Sequence, residues 1–293
     1  MKRVAAIDIG TNSTRLLVAD CTGAGLKRIE ADLITTRLGK GMSSGLLLQE
    51  TMLSTVDALD LFYRKAMELG AESVVVAATS AVRDAANKAE FLRLAEERTG
   101  LKVRVLGGEE EAALSCRGVL SGLPVDPGST LVVDIGGGST EFIWTHRGHL
   151  NLVSVNAGAV RLTDAGADEI MIYNILRPTL EKVKRSAFEC LVGVGGTVTT
   201  LAAIDQRLAV YDPDLVHGYC LRAASVDRIL KMLKHMDIPE RRKVPGLKPE
   251  RADIIVAGVY IVKIIMERLG SEEMLVSECD ILDGLALELA DTM

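Results

Sequence analysis

The residues that decide the fold are Leu131-Val132-Val133-Asp134-Ile135-Gly136-Gly137-Gly138-Ser139-Thr140-Glu141-Phe142-Ile143. The apolar run before Asp134 predicts a buried strand, and the run after Glu141 predicts a second one. The turn between them has almost no side chains, so backbone N–H groups can approach an anion closely. The two carboxylates at its ends would repel phosphate and suit a metal ion or an attacking water. The stretch therefore predicts a metal-assisted phosphate site, although one glycine turn alone is also typical of an ordinary tight hairpin.

A copy of this pattern lies near the N-terminus and strengthens the prediction. After the apolar residues 4–7 the chain reads Asp8-Ile9-Gly10-Thr11-Asn12-Ser13-Thr14-Arg15. Aligned with residues 134–141, it repeats Asp, Ile, Gly, Ser and Thr at the same offsets. Two copies of one supersecondary unit predict a duplicated architecture whose two loops face a shared cleft.

Composition limits the class of protein. A chain of 293 residues is expected to form about two domains, because a single core seldom grows beyond about 250 residues. Hydrophobic residues make up 48% of the chain and aromatic residues only 3%, so the cores must pack through aliphatic side chains. The net charge of −6 argues against DNA as a partner, because DNA binding needs a basic surface. It leaves room for a polyanion bound through metal ions, backbone amides and a few arginines.

The cysteines and the apolar segments indicate where the protein works. The five cysteines are scattered and never form a Cys-x-x-Cys, which predicts reduced thiols, a cytoplasmic location and no zinc site of the usual kind. The first apolar run ends at Asp8, so the N-terminus predicts a strand and not a signal peptide. The longest apolar region, residues 254–265, is interrupted by Lys263 and is too short to span a bilayer. We therefore predict a soluble intracellular protein that does not bind membranes.

Strands alternate with helices along the whole chain, and this alternation predicts an α/β fold. Prolines and a glycine in residues 123–128 mark the best candidate domain boundary. We predict an N-terminal domain over residues 1–124 and a C-terminal domain over residues 125–293. The C-terminal helix, about residues 280–293, is expected to be able to pack back on the N-terminal domain.

Several element bounds are specific enough to be tested. A single helix is predicted from the junction at residues 79–84 to Arg98, followed by a strand over residues 102–106. Farther along the chain, helices are predicted over about residues 160–173 and 176–188.

Three further segments carry residues suited to phosphate chemistry. Arg83 lies at a strand-to-helix junction, where it could grip a phosphate, although a surface ion pair is the default interpretation. Glu111 follows two other acids in a first helical turn, which is also the ordinary complement of a helix dipole. Gly195-Gly196-Thr197 joins a strand to a helix and suits phosphate or nucleotide contact, with a plain turn as the alternative.

Together these motifs resemble the actin/Hsp70/sugar-kinase superfamily and, more specifically, the Ppx/GppA phosphatase family. The resemblance covers nearly the whole chain, with the motifs in family order. The segments that carry it are 8–13, 79–83, 108–112, 134–141, 193–197, His217-Gly218 and Gly246-Leu247-Lys248-Pro249-Glu250-Arg251-Ala252-Asp253.

The resemblance implies an α/β fold of two ribonuclease H-like (actin-like ATPase) domains, with a mixed sheet in each and an interdomain cleft. It implies an exopolyphosphatase, which hydrolyses the terminal phosphoanhydride bond of inorganic polyphosphate with a metal ion and releases orthophosphate. Glu111 would be the general base that activates water. Asp134 and Glu141 would be catalytic too, helping to hold Mg²⁺ (or Mn²⁺) and to orient that water, and Asp8 would be a further metal ligand. Phosphate binding would fall to Asn12, Ser13, Arg83, Gly136, Gly137, Gly138, Ser139, Gly195, Gly196 and Thr197.

The chain departs from the family pattern in two places. Gly107-Gly108 stands where the family usually has Ser-Gly ahead of the acidic group, a change expected to alter local phosphate contacts. The chain ends at Met293 and so resembles the short members that lack a C-terminal helical His-Asp domain. A homodimer is plausible from the resemblance alone. Arg37, Lys40 and Arg251 are candidates for a basic track along a polyphosphate chain.

Three alternative functions stay open from the sequence. A guanosine pentaphosphate (pppGpp) 5'-phosphatase belongs to the same family and would use the same mechanism. A small-molecule kinase would need an adenosine pocket, for which residues 193–197 are a candidate. A nucleotide-switched scaffold of the actin or Hsp70 kind would not need Glu111 beside Asp134 and Glu141.

Overall fold

The computed structural model describes residues 1–22 and 25–293, and the chain divides into two units. Unit 1 comprises residues 1–121 and 280–293, and unit 2 comprises residues 122–279. The chain therefore leaves unit 1 once and returns to it for its last helix.

Unit 1 is built on a mixed five-stranded sheet with the order β3-β2-β1-β4-β5. Its strands are β1 (Lys2–Ile9), β2 (Thr14–Thr22), β3 (Gly25–Ile34), β4 (Ser73–Ala78) and β5 (Arg104–Val105). β1 pairs antiparallel with β2 and parallel with β4, so Asp8 has Arg15 beside it on one strand and Ala77 on the other. Because β1 is central, its residues 4–9 are buried.

Helices cover both faces of the unit 1 sheet. They are α1 (Gln49–Glu68), α2 (Ser80–Asp84), α3 (Lys88–Thr99), α4 (Gly108–Gly122) and α12 (Ile281–Thr292). One core cluster holds Phe62 of α1 and Phe91 of α3, both fully buried. A second core cluster holds Leu285 of α12 with Val4 and Leu17 of the sheet, so the C-terminal helix completes the core of unit 1.

Unit 2 repeats the same plan with a six-stranded sheet of order β10-β11-β9-β6-β7-β8. Its strands are β6 (Thr130–Ile135), β7 (Thr140–His146), β8 (His149–Val155), β9 (Cys190–Val194), β10 (Cys220–Arg222) and β11 (Glu273–Val276). The series β8-β7-β6-β9 matches β3-β2-β1-β4 of unit 1 strand for strand. The prediction of an α/β fold with a mixed sheet in each half is confirmed.

The helices of unit 2 pack around one aliphatic core. They are α5 (Ala159–Asp164), α6 (Glu169–Val183), α7 (Gly196–Asp205), α8 (Pro213–Val216), α9 (Ala223–Lys234), α10 (Ile238–Arg241) and α11 (Ile255–Leu269). The apolar α11 is largely buried in this core. Across residues 1–22 and 25–293, no helix has both the length and the apolarity that crossing a bilayer requires.

The structure corrects three predicted elements. The single helix predicted up to Arg98 is divided into α2 and α3, because Asn87 between them binds the backbone of Leu47 through both its side-chain oxygen and nitrogen, at 2.9 and 3.0 Å. The strand predicted over residues 102–106 is only the two-residue β5. The helices predicted over 160–173 and 176–188 instead break at residues 165–168, where Gly166 has a φ of 60° and Asp168 caps α6 through the Met171 N–H.

Candidate active site

The β1–β2 turn of unit 1, residues 10–13, is the first predicted phosphate loop. The N–H of Gly10 donates to the carbonyl of Ser13 at 3.0 Å and closes the turn. Nδ2 of Asn12 donates to Oγ of Ser13 at 3.1 Å, and both side chains are buried. The two predicted phosphate-binding residues therefore lie together in one hydrogen-bonded turn.

A basic, glycine-containing loop, residues 37–40, packs against this turn. The N–H of Gly39 donates to the Thr11 carbonyl at 2.8 Å. The N–H of Arg37 donates to the Asn12 carbonyl at 2.9 Å. A Cβ on Gly39 would lie 2.2 Å from Cγ2 of Thr11, so only glycine allows this approach. This basic loop thus holds the first predicted phosphate loop through main-chain contacts.

Asp8, at the carboxyl end of β1, is buried and held by an arginine. Nε and Nη2 of Arg15 donate to Oδ2 of Asp8 at 3.1 and 2.7 Å. Nη1 of Arg15 donates to Asp280, the N-cap of α12. Burial raises the pKa of Asp8, and the charge of Arg15 offsets only part of this effect. Burial alone would lower the pKa of Arg15, but the charges of Asp280 and Asp8 raise it above its usual value.

Arg83 and Glu111 form an ion pair in unit 1. Nη1 of Arg83 lies 2.7 Å from Oε2 of Glu111, and the two side chains are 19% and 12% exposed. The same nitrogen donates to the Leu106 carbonyl at 3.3 Å. Arg83 extends from α2, and Glu111 from the first turn of α4, where a carboxylate also complements the helix dipole. The predicted general base and a predicted phosphate-binding arginine therefore lie in direct contact.

The β6–β7 turn of unit 2, residues 136–139, has the same form as the first loop. The N–H of Gly136 donates to the Ser139 carbonyl at 3.0 Å, as Gly10 donates to Ser13 in unit 1. Ser139 is buried, whereas Gly136 and Gly137 are partly exposed. The turn therefore presents backbone, rather than side chains, at the carboxyl end of β6.

Two buried carboxylates lie at the base of this turn. Asp134 and Glu141 are direct cross-strand partners in β6 and β7, with exposed fractions of 9% and 1%. Oε1 of Glu141 accepts a hydrogen bond from Oγ of Ser154 at 2.7 Å. Like charges directly opposite each other destabilise a strand pair. Such a buried pair is the arrangement that a bound cation would stabilise.

The second glycine loop, residues 195–197, lies beside this acid pair. β6 and β9 are parallel neighbours that pair Asp134 with Val194, so the loop that follows β9 begins next to Asp134. Gly195 has a φ of 90°, and a Cβ there would lie 2.7 Å from Oδ1 of Asp134. Only glycine fits this position, and the structure brings the predicted loop and the predicted metal ligand together.

One cationic side chain, that of Arg251, lies against this loop, and a second, that of Lys248, lies near Arg251. A Cβ on Gly196 would lie 2.1 to 2.4 Å from the guanidinium atoms of Arg251. Nζ of Lys248 lies 5.0 Å from the centroid of the Tyr211 ring. Burial lowers the pKa of Lys248, and repulsion by Arg251 lowers it further. Two close cations near the N-terminal end of α7 suit an anion.

The acidic groups fit a hard cation that is shared with a substrate. In the part of the chain that the structure describes, no three Asp, Glu, His or Cys side chains cluster closely enough to form a metal centre alone. Mg²⁺ usually binds through one or two carboxylates and completes its shell with water and substrate phosphates. In unit 2, Asp134 and Glu141 are two carboxylates of the kind that such an ion binds. In unit 1, Oδ1 of Asp8 is buried and meets no hydrogen-bond donor within residues 1–22 and 25–293.

Several residues at the site were not predicted from the sequence. Arg15 could have been found from the repeat. It lies seven residues after Asp8 in the first hairpin, as Glu141 lies seven residues after Asp134 in the second. Asp280 offered no local signal, since it lies 265 residues from its partner Arg15. Lys248 sits in a motif quoted for the resemblance, but nothing in the sequence pattern singled it out.

Solved structures share this fold. A Ppx/GppA family member from Aquifex aeolicus matches with a TM-score of 0.82 and 31% identity, covering 99% of this chain and 98% of that one. An exopolyphosphatase from Cytophaga hutchinsonii matches with a TM-score of 0.90 and 26% identity, covering 100% and 99% of the two chains. These likenesses confirm the predicted fold of two actin-like domains.

Sequence comparison gives the same family. Exopolyphosphatase 2 from Mycobacterium tuberculosis is 34% identical over 317 residues, which cover 99% of each chain. The sequence model of the Ppx/GppA phosphatase family matches residues 6–293. The chain belongs to the Ppx/GppA phosphatase family.

Proposed function

We propose that this chain is an exopolyphosphatase that hydrolyses the terminal phosphoanhydride bond of inorganic polyphosphate and releases orthophosphate. The observation that carries the proposal is the buried pair of Asp134 and Glu141 directly below a glycine turn. An acid pair suits a cation, and a glycine turn suits an anion, so together they suit a metal-bound phosphate. Membership of the phosphatase family and 34% identity to a protein named exopolyphosphatase 2 support the same reaction.

Hydrolysis of a phosphoanhydride depends on positioning and on charge neutralisation more than on covalent help from the protein. We propose that the amides of residues 137–139 hold the terminal phosphate, since the N–H of Gly136 already closes the turn. Asn12 and Ser13 are the proposed phosphate contacts of unit 1. Residues 195–197, with Arg251 against Gly196, are proposed to neutralise charge on the substrate chain.

Glu111 is proposed to take the proton from the attacking water. The water oxygen then bonds to the terminal phosphorus, the phosphoanhydride bond breaks, and the shortened chain leaves with the bond electrons. A positioned carboxylate of this kind contributes typically about 10²–10⁴-fold to rate. The ion pair with Arg83 at 2.7 Å balances the charge of the buried carboxylate and fixes its direction.

We propose Mg²⁺, with Mn²⁺ as its substitute, as the cofactor, and Asp134 and Glu141 as its main ligands. When bound, the ion would supply Lewis-acid stabilisation of the charge that develops on the phosphate oxygens. Asp8 is the proposed contributor from unit 1, and its partnerless Oδ1 supports this role. Arg15 already holds the other oxygen, so Asp8 would offer one oxygen only.

One assay tests the reaction and separates it from its rivals. Orthophosphate release is measured from long-chain polyphosphate, guanosine pentaphosphate and ATP, each with Mg²⁺ and each with EDTA. We expect release from polyphosphate that depends on Mg²⁺. Release from guanosine pentaphosphate alone would assign the family's other activity. Turnover of ATP alone, or ATP-dependent phosphorylation of a third compound, would overturn the proposal.

We also propose a cytoplasmic location, supported by five cysteines that are all free thiols. A homodimer stays a prediction that light scattering on the purified chain can test.

A further inference from the structure

The N-terminus of α5 packs directly against the glycine loop of unit 2. Gly158, the N-cap of α5, has a φ of −124°, so its conformation does not require glycine. The space around it does require glycine, because a Cβ at this position would lie 2.4 Å from backbone atoms of Gly137 and Gly138. The helix and the loop therefore approach as closely as two backbones can.

All three glycine carbonyls of the loop are bound by α5. The N–H of Ala159 donates to the Gly136 carbonyl at 3.1 Å. The N–H groups of residues 160 and 161 donate to the Gly137 carbonyl at 2.8 and 3.1 Å. The third carbonyl, that of Gly138, accepts from Nε of Arg161 at 2.7 Å. The loop thus turns every one of these oxygens toward a single helix.

This arrangement fixes the direction of the loop's N–H groups. The peptide bonds are trans and planar, so each C=O points opposite to the N–H of the following residue. Because the carbonyls of Gly136, Gly137 and Gly138 face α5, the N–H groups of residues 137–139 face away from it. Successive N–H groups that face one side form an anion-binding concavity.

In unit 1, the carbonyl groups of the corresponding loop are also held by hydrogen bonds, but only from backbone N–H groups. There the N–H groups of Gly39 and Arg37 hold the carbonyls of Thr11 and Asn12. In unit 2 the corresponding task is shared between the backbone of α5 and one side chain, that of Arg161. The Arg161 contact is therefore the one that a side-chain substitution can remove, because the other contacts are made by the backbone.

We infer that Arg161 is a positioning residue that holds the 136–139 loop with its N–H groups directed at a polyphosphate end. The inference rests on the proposed function for the identity of that anion. Arg161 acts through the Gly138 carbonyl, and its hydrogen bond to that oxygen is charge-assisted. Without it the Gly138 peptide is free to rotate, and the loop no longer presents three aligned donors.

The test measures anion binding apart from turnover. Arg161→Ala and Arg161→Lys are compared with Arg177→Ala, which removes an exposed arginine from α6 of the same unit. Calorimetry with inorganic tripolyphosphate in EDTA gives the affinity when no metal-dependent hydrolysis can occur. We expect Arg161→Ala to bind about 10- to 100-fold more weakly, the factor typical of one hydrogen bond to a charged group. Arg161→Lys should fall between Arg161→Ala and the wild type, and Arg177→Ala should match the wild type.

Two further measurements distinguish positioning from general loss of structure. Millimolar guanidinium should restore tripolyphosphate binding to Arg161→Ala, because it can fill the vacated position and donate to Gly138. Amide hydrogen exchange of a peptide covering residues 136–139 should be faster in Arg161→Ala, with the β6 core unchanged. If Arg161→Ala does not fold, the same exchange and affinity measurements on Arg161→Lys decide whether the inference holds.

Wild-type affinity and wild-type loop exchange in the Arg161 variants would overturn the inference, whatever the enzyme hydrolyses. A wild-type protein that releases no phosphate from polyphosphate, but whose tripolyphosphate binding still depends on Arg161 and is rescued by guanidinium, would overturn only the proposed function.

Discussion

Replacing Glu141 with glutamine should make the protein more stable than the wild type when no metal is bound. With metal bound, the variant should be less stable than the wild type. In unit 1 the cross-strand partner of Asp8 is Arg15, so that pair is internally neutral. In unit 2 the same register places Glu141 opposite Asp134, so both partners are acids. Glu141→Gln keeps the shape of the side chain and an oxygen that can accept from Ser154, while it removes the charge and replaces the second oxygen with an NH2 group.

The size of the effect follows from the pairing. Cβ atoms of directly opposed residues lie about 5 Å apart, and two unit charges at that separation repel by about 0.8 kcal/mol in water, or about 3 kcal/mol at an effective dielectric constant of about 20. Glu141 is 1% and Asp134 9% exposed, which favours the higher value. In EDTA we therefore expect Glu141→Gln to raise the free energy of unfolding by about 1–3 kcal/mol. The corresponding rise in melting temperature is about 2–4 °C per kcal/mol.

Magnesium should reverse this order. A ligand at 1,000 times its Kd stabilises the folded state by about 4.1 kcal/mol, which exceeds the advantage expected for the variant in EDTA, and the variant should gain much less because one of its proposed ligands is lost. The single tryptophan, Trp144, is buried in β7, so its fluorescence reports the unfolding of unit 2. Glu189→Gln, an exposed carboxylate of the same unit, is the control and should follow the wild type. The reasoning is refuted if Glu141→Gln melts below the wild type in EDTA and gains as much stability from Mg²⁺.

Three other predictions follow from the described contacts. Glu111→Gln should fold normally but lose about 10²–10⁴-fold in phosphate release, the range for a general base; a near-normal rate would assign the proton to another carboxylate. Asp280→Asn should lower the free energy of unfolding in urea by about 1–3 kcal/mol, because it removes one of the two carboxylates that pair with the partly buried Arg15; an unchanged value would mean that Asp8 alone balances that charge. Burial and then a neighbouring carboxylate raise the pKa of Tyr219 from 10.0 to about 12, so its contribution to stability is full below pH 10 and lost as the pH rises through 12. Tyr219→Phe should accordingly flatten the decline in unfolding free energy between pH 10 and pH 12, and a decline as steep as in the wild type would contradict this assignment.

Local patterns were sufficient to predict the two hairpins of the fold. The β1–β2 and β6–β7 strands follow directly from apolar runs that flank a glycine turn, because strand pairing across a short turn involves only near neighbours. The helix predicted up to Arg98 was wrong for a reason that lies far along the chain. Asn87 binds Leu47, 40 residues away, and no pattern within the helix records that contact.

In the candidate site too, contacts within a hairpin were predicted, and contacts that depend on how separate elements pack were not. Asp134 and Glu141 were predicted as a pair because a hairpin register relates them, and the structure places them opposite each other. The pairing of Arg83 with Glu111 was not predicted, because it depends on how α2 and α4 meet rather than on spacing. The role inferred for Arg161 depends on the direction of three carbonyl groups, a property of backbone geometry that residue types alone do not carry.

Unit 1 is completed by a segment that follows unit 2 in the sequence, and this order has a consequence for synthesis. Residues 280–293 leave the ribosome after all of unit 2, yet α12 supplies part of the core around Val4 and Leu17. Asp280, the partner of Arg15, arrives with the same segment. Unit 2 is continuous, so all of its core residues are synthesised before the segment that completes the core of unit 1. We therefore expect unit 2 to be able to complete its core before unit 1 does.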